Sequence, residues 1–442
     1  MSKRIVLFVL FALLFAGNNM YAQTNTERAE RLFLLLKAGQ GDSIYAEMNG
    51  TVQAAITAPQ ISQIFGQLEG GYGAFQSKGE WKTMEVQGIT VYYADVKFLQ
   101  QSLRILFAFD ADGKANTLRF VPTPESETSA NDAAPANTAG DYIERAITIK
   151  SGAFDLPGLF TLPKGESRFP VAILVHGSGP HDKDETIGPN KPFKDMAMGL
   201  AERGITTIRY DKRTKVYGIN SVPQGGEITL DAEVVDDVLA AVALAKQIKE
   251  IDPEYIYVLG HSLGAYAAPR IASKENSLAG IILLSGNARP LEDLIVEQME
   301  YISSLNPNAD VAQLEQIKKE AANVKQLGKT DVDTSVGLPF GAPAAYWKSL
   351  KEYNQLETVA QLTLPVLILQ GERDYQVTME DYYLWQKELA GKTNVHFISY
   401  PALNHLYLEG EGKSKPSEYS QKGNIPAYVF DDIASFIKGK RN

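Results

Sequence analysis

The sequence predicts an α/β fold: a doubly wound, mostly parallel sheet with a helical cap insertion, preceded by a small α+β domain. Three observations carry this expectation. Beyond about residue 140, short and uniformly apolar runs alternate with helical segments, a pattern that suits parallel strands covered on both faces. One connection, between Ser285 and Pro365, is far longer than a crossover requires. A stretch rich in Pro, Ser, Ala and acidic residues at 121–139, from Pro122-Thr123-Pro124 to Pro135-Ala136, separates this region from a shorter one with a different pattern. Such a composition buries too little apolar surface to order itself and reads as a linker.

Residues 1–22 have the layout of a secretory signal peptide. Lys3 and Arg4 precede an apolar run from Ile5 to Ala16, Gly17 to Asn19 break it, and Ala22 is small enough for cleavage before Gln23. Met20 is larger than such a site prefers, and the alternative is an uncleaved membrane anchor. The expectation is an exported protein, periplasmic or extracellular, with no membrane association after signal cleavage. Net charge is −10, an acidic balance that argues against nucleic acid and anionic membrane surfaces as partners. The chain has no cysteine. That removes thiol nucleophiles and Cys-ligated metals from consideration.

Residues 24–120 form the small α+β domain. Ala29, Leu32, Phe33 and Leu36 recur at helical spacing. Strands follow at 85–91, 92–98 and 103–109, the last closed by the turn Asp110-Ala111-Asp112-Gly113. The pattern resembles the cystatin-like or nuclear-transport-factor-like cones that precede hydrolases, and it contains no catalytic constellation.

Residues 140–442 form the large domain. Two strands are expected at 144–149 and 154–162, then buried strands at 171–175, 205–208, 255–259, 281–284, 366–369 and 395–399. Helices are expected at 193–202, 230–249, 263–273 and 379–389. The long connection contains helices around 291–305 and 311–326, a Gly/Pro-rich stretch at 337–343 and a further segment at 346–350, so 287–358 is the candidate cap.

Gly260-His261-Ser262-Leu263-Gly264 lies between a buried strand and a helix rich in small residues. A Gly-x-Ser-x-Gly turn in that context presents a serine hydroxyl at the top of a sheet. Gly260 and Gly264 let strand and helix approach closely, and the helix N-terminus favours developing negative charge. A serine needs a base, and the chain has five histidines. His261 adjoins the nucleophile, His176 and His181 come too early in the chain, and His396 sits within a strand. His405, in the loop after the last strand, remains. The acid belongs at the end of the strand before it, where Gly371-Glu372-Arg373-Asp374 offers Asp374, with Glu372 and the more distant Asp381 as rivals. Two backbone N–H groups should hold the oxyanion: Leu263, after the nucleophile, and Ser178, in the loop His176-Gly177-Ser178-Gly179-Pro180, where Gly177 and Gly179 permit close approach.

With Arg209-Tyr210-Asp211-Lys212-Arg213 and Asn404-His405, these motifs make residues 140–442 resemble bacterial α/β-hydrolases of the EstD-like carboxylesterase and serine-aminopeptidase-like type. The resemblance implies hydrolysis of a small-molecule ester with no cofactor. Related sequences carry Gly after the Asp-Lys-Arg run, where Thr214 and Lys215 stand here. Pro269 falls inside the helix after Ser262 and suggests a kink. A metal held by His176, His181, Asp182 and Asp184 has no supporting ligand spacing. Lys212 and Arg213 are either solvated or ion-paired, or they bind an anionic group. Two further readings remain: a peptidase of the same fold, and a non-catalytic binding protein on a hydrolase scaffold.

Overall fold

The computed structural model describes residues 24–72, 75–86, 89–98, 102–123, 142–165, 168–222, 226–306, 311–329 and 337–439. The segment expected as a signal peptide, residues 1–22, and most of the stretch expected as a linker lie outside these. The chain divides into two compact units, 1–126 and 127–442.

In the first unit four helices precede the sheet: α1 (Asn25–Lys37), α2 (Gly41–Glu47), α3 (Gly50–Ala55) and α4 (Ala58–Tyr72). Thr24 caps α1 with a reciprocal capping box to Glu27. The five strands are β1 (Phe75–Lys78), β2 (Lys82–Val86), β3 (Ile89–Phe98), β4 (Ser102–Phe109) and β5 (Ala115–Pro122), all antiparallel. Ala29, Leu32, Phe33 and Leu36 of α1 pack against Val96, Phe98, Ile105 and Phe107. The expected strands at 85–91 and 92–98 are corrected: Ile89–Phe98 is one strand, because residues 91 and 92 both stay in register with β4. The sequence reading also missed α2 to α4, β1 and β5.

The second unit is built on an eight-stranded sheet: β6 (Tyr142–Ser151), β7 (Phe154–Pro163), β8 (Phe169–Val175), β9 (Thr206–Tyr210), β10 (Ile251–His261), β11 (Gly280–Leu284), β12 (Val366–Gly371) and β13 (Val395–Tyr400). Their order across the sheet is β13-β12-β11-β10-β8-β9-β7-β6. The hairpin β6–β7 and the β7–β9 pair are antiparallel and the rest parallel. The helices are α5 (Pro192–Ala201), α6 (Arg213–Tyr217), α7 (Asp236–Ala245), α8 (Leu263–Lys274), α9 (Leu291–Ser304), α10 (Val311–Gln326), α11 (Ala344–Lys351), α12 (Gln355–Gln361), α13 (Met379–Glu388) and α14 (Ala427–Gly439).

The apolar runs follow from burial on both sides. Val171, Ile173 and Val175 of β8 face α7 and α8, whereas Ala172 and Leu174 face Phe193 and Leu200 of α5 and Val429 and Ile433 of α14. Each buried Val, Ile, Leu or Phe among these contributes about 2 kcal/mol of hydrophobic stabilisation. Helix α8 continues through Pro269. The run expected as one helix at 230–249 is a π turn, Asp231–Val235, leading into α7. The insertion between β11 and β12 carries α9 to α12, of which the sequence reading had no α12.

Candidate active site

The turn between β10 and α8 is as tight as its glycines suggest. A Cβ on Gly260 would lie 2.2 Å from the Gly264 carbonyl oxygen, and one on Gly264 would lie 2.1 Å from that of Val175. Only hydrogen fits either position. Between them Ser262 takes φ 52° and ψ −115°, a left-handed conformation that costs a non-glycine residue about 1–3 kcal/mol. The strain is held by its surroundings: Ser262 N–H donates to Leu284 of β11 at 2.9 Å, and Tyr266 N–H donates back to Ser262. Leu263 is the first residue of α8, so its N–H has no acceptor within the helix.

Asp374 and His405 come together at the ends of β12 and β13. His405 Nδ1 lies 2.6 Å from Asp374 Oδ2. Asp374 Oδ1 accepts from the N–H groups of Gln376 at 2.7 Å and Val377 at 3.0 Å, and both residues of the pair are buried. A carboxylate oxygen only accepts, so Nδ1 carries the proton in this contact and the neutral imidazole has its lone pair on Nε2. Asn404 shapes the His405 loop by accepting from Leu406 and Leu408 N–H. The rivals are engaged elsewhere. Glu372 accepts from Ser399, and Asp381 accepts from Ala288 N–H and pairs with Arg289.

Ser262, Leu263, Gly177, Ser178 and His405 line one cavity of about 480 Å³. Its roof comes from the insertion: Leu291, Leu294 and Ile295 of α9, Phe340 from the turn after residue 337, and Tyr346 and Trp347 of α11. Phe340 holds a positive φ of 57° and is 75% exposed.

The loop over Ser262 is anchored by Glu185, which the sequence reading did not select, and by Lys212. Gly177 N–H donates to Glu185 Oε1 at 2.6 Å, and the Gly177 carbonyl accepts from Lys212 Nζ at 2.9 Å. Lys212 also reaches Glu233 Oε1 at 2.6 Å. Lys212 and Arg213 are therefore buried ion-pair members, Arg213 with Asp237, rather than solvated or exposed to a ligand. Glu185 is fully buried and takes φ 51°. Nothing in its sequence context marks this loop residue, because its partner His261 lies far along the chain at the end of β10.

His261 bridges the two halves of the site. Its Nε2 donates to the His405 carbonyl at 2.9 Å, and its Nδ1 lies 3.0 Å from Glu185 Oε2, off the line of an ideal hydrogen bond. With an acceptor at each nitrogen the imidazolium is favoured. Burial opposes that charge most strongly, but Glu185, the His405 carbonyl and Asp374 together outweigh burial and raise the His261 pKa. Burial likewise raises the Glu185 carboxyl, and His261 with its neighbours overcomes this and holds it at about 2. His176 is the contrary case: burial lowers it to about 3, so it stays neutral. Its Nε2 donates to the Asp182 carbonyl at 3.0 Å. His181 Nε2 donates to the Ser178 carbonyl at 2.6 Å. Among the described residues no group of three or more His, Asp or Glu side chains is placed to hold a metal ion.

Comparison with known proteins agrees with this architecture. Residues 171–412 match the family described as serine aminopeptidase, S33. Residues 29–118 match a family described as a protein of unknown function, DUF3887. The chain is 34% identical to esterase EstD of Thermotoga maritima over 431 residues, covering 97% of this chain and 98% of that protein. It is 22% identical to a putative carboxymethylenebutenolidase of Synechocystis over 130 residues, which is 27% of this chain and 50% of that protein. Among solved structures, Est1E of Butyrivibrio proteoclasticus aligns with a TM-score of 0.44 at 19% identity, over 67% of this chain and 98% of that one. The eight-stranded sheet, the strained turn at Ser262 and the long match to a full-length relative converge on one assignment: this chain is a hydrolase of the α/β-hydrolase fold and belongs to the serine aminopeptidase S33 family.

Proposed function

We propose that the protein is an exported carboxylesterase that works through an acyl-enzyme on Ser262. The observation that carries this reading is the His405–Asp374 contact of 2.6 Å, with His405 on the wall of the cavity that Ser262 also lines. His405 Nε2 takes the serine proton as the hydroxyl attacks the ester carbonyl, forming a tetrahedral oxyanion. The N–H groups of Leu263 and Ser178 hold that oxyanion. His405 then protonates the departing alcohol, and a water deprotonated by the same imidazole releases the acid. Asp374 fixes the tautomer and stabilises the imidazolium. The whole cycle needs no cofactor.

The family description keeps a second reading in view, an aminopeptidase of the same fold. Such an enzyme needs a group to hold the substrate α-ammonium. Among the described residues that line the cavity the single carboxylate is Glu185, already committed to Gly177 N–H and His261. The roof is aliphatic, aromatic and amide in character, which favours an uncharged acyl group. A fluorophosphonate should label Ser262 and fail to label Ser262→Ala. Turnover of p-nitrophenyl esters should exceed that of aminoacyl amides. Equal labelling of the alanine variant, or faster amide turnover, would overturn the reading. Secretion of the full-length chain with cleavage before Gln23 tests export.

A further inference from the structure

The Gly177 backbone is gripped from two sides by buried groups of opposite charge. Its N–H donates to the Glu185 carboxylate at 2.6 Å, and its carbonyl accepts from the Lys212 ammonium at 2.9 Å. The two contacts act on different amides. The N–H belongs to the amide shared with His176. The carbonyl belongs to the amide that carries the Ser178 N–H. We infer that Lys212 is a positioning residue for the oxyanion site, polarising the Gly177–Ser178 amide so that the Ser178 N–H becomes a stronger donor. This rests on the assignment of Ser178 as an oxyanion donor.

The physical chain is short. A cation on an amide oxygen draws electrons toward that oxygen, increases C–N double-bond character and leaves the N–H more positive. In a site sheltered from water this is worth more than it would be at a surface, because little solvent screens it. Glu185 completes the arrangement. By occupying the Gly177 N–H it prevents the loop from offering that group instead, and it holds the loop close enough that a Cβ on Gly177 would lie 3.2 Å from Ser262 Cβ. Lys212 has no direct contact with substrate in this scheme: it is 2% exposed and lies behind the loop rather than on the cavity wall. Glu233 steadies the ammonium at 2.6 Å and also interacts with Tyr346 of the roof. The purely structural reading, an ion pair that only tethers the loop, predicts a different kinetic signature. A loosened loop weakens substrate binding and thermal stability, whereas lost polarisation acts where negative charge develops.

The test uses the full chain with Lys212→Met and with the double variant Lys212→Met/Glu233→Gln. The double variant leaves no lone buried charge, so it carries the measurement if the single variant folds poorly. The readouts are hydrolysis of p-nitrophenyl butyrate and inhibition by an alkyl trifluoromethyl ketone, which forms an oxyanion adduct on a reactive serine. Removing an oxyanion donor outright costs about 100- to 1,000-fold in kcat, so weakening one should cost on the order of tenfold to a hundredfold. KM should stay within about threefold. The ketone inhibition constant should rise by the same factor by which kcat/KM falls. Unchanged kcat, or a kcat loss with no change in ketone affinity, overturns the inference. Fluorophosphonate titration separates the two layers. Unlabelled Ser262 in the unmodified enzyme removes the underlying reading. Full labelling with unaltered kinetics in the variants removes only the role of Lys212.

Discussion

Glu185→Gln tests the electrostatic framework behind Ser262. The substitution keeps the size of the side chain and an oxygen for the Gly177 N–H, but removes the charge that faces His261 at 3.0 Å. Burial alone would raise the Glu185 carboxyl. His261 and the nearby imidazoles instead bring it from 4.5 to about 2. At about 1.4 kcal/mol per unit, this difference corresponds to about 3 kcal/mol of native stability. A lowered carboxyl contributes that stability fully above its unfolded value of 4.5 and loses it as pH falls toward about 2. His261 runs the other way: its raised pKa contributes below its unfolded value of 6.5 and is lost as pH climbs through the folded value. The gap between the native protein and the variant should therefore be widest from about pH 4.5 to 6.5 and narrow on both sides. Urea unfolding followed by tryptophan fluorescence, at intervals from about pH 3 to 8, measures it. A gap below about 1 kcal/mol near pH 6, or one that stays constant toward pH 3, would refute the ion-pair account.

Three further outcomes are expected. Asp374→Asn should lower kcat on p-nitrophenyl esters by about 10⁴-fold, because an amide on Gln376 and Val377 N–H presents the wrong group to His405 Nδ1; a loss under tenfold would point to another acid. Gly264→Ala should destabilise the enzyme by about 3 kcal/mol or more, since its Cβ would meet the Val175 carbonyl at 2.1 Å and that of His176 at 2.8 Å; thermal unfolding reads this, and a near-native melting temperature contradicts it. Phe340→Ala should leave stability within about 0.5 kcal/mol, as the ring is 75% exposed, while kcat/KM for longer acyl chains falls several-fold more than for acetate; an unchanged chain-length profile would remove Phe340 from the acyl site.

Much of the large unit was legible in the sequence because its physics is local or periodic. Strands buried on both faces must be apolar throughout, so β8, β10, β11 and β12 stand out without knowledge of their neighbours. The turn at Ser262 announces itself because only glycine tolerates the two close approaches that a strained strand-to-helix corner requires. Asp374 and His405 could be chosen by their positions after successive strands, since parallel strands in one sheet bring their ends to one edge. In the small unit, half-buried strands and short helices leave weaker patterns, and β1, β5 and α2 to α4 were missed.

What the chain alone determined, then, is which segments of the large unit are strands, where the tight Gly-x-Ser-x-Gly turn falls, and which few residues are candidates to act beside it. What tertiary structure decided is the set of partners. Glu185 meets His261 and Gly177, Lys212 meets the Gly177 carbonyl, and Phe340 and Tyr346 reach the cavity from an insertion far away in the chain. Buried charges are tolerated only beside a counter-charge. Which counter-charge that is depends on packing between distant elements, and no spacing along the chain encodes it.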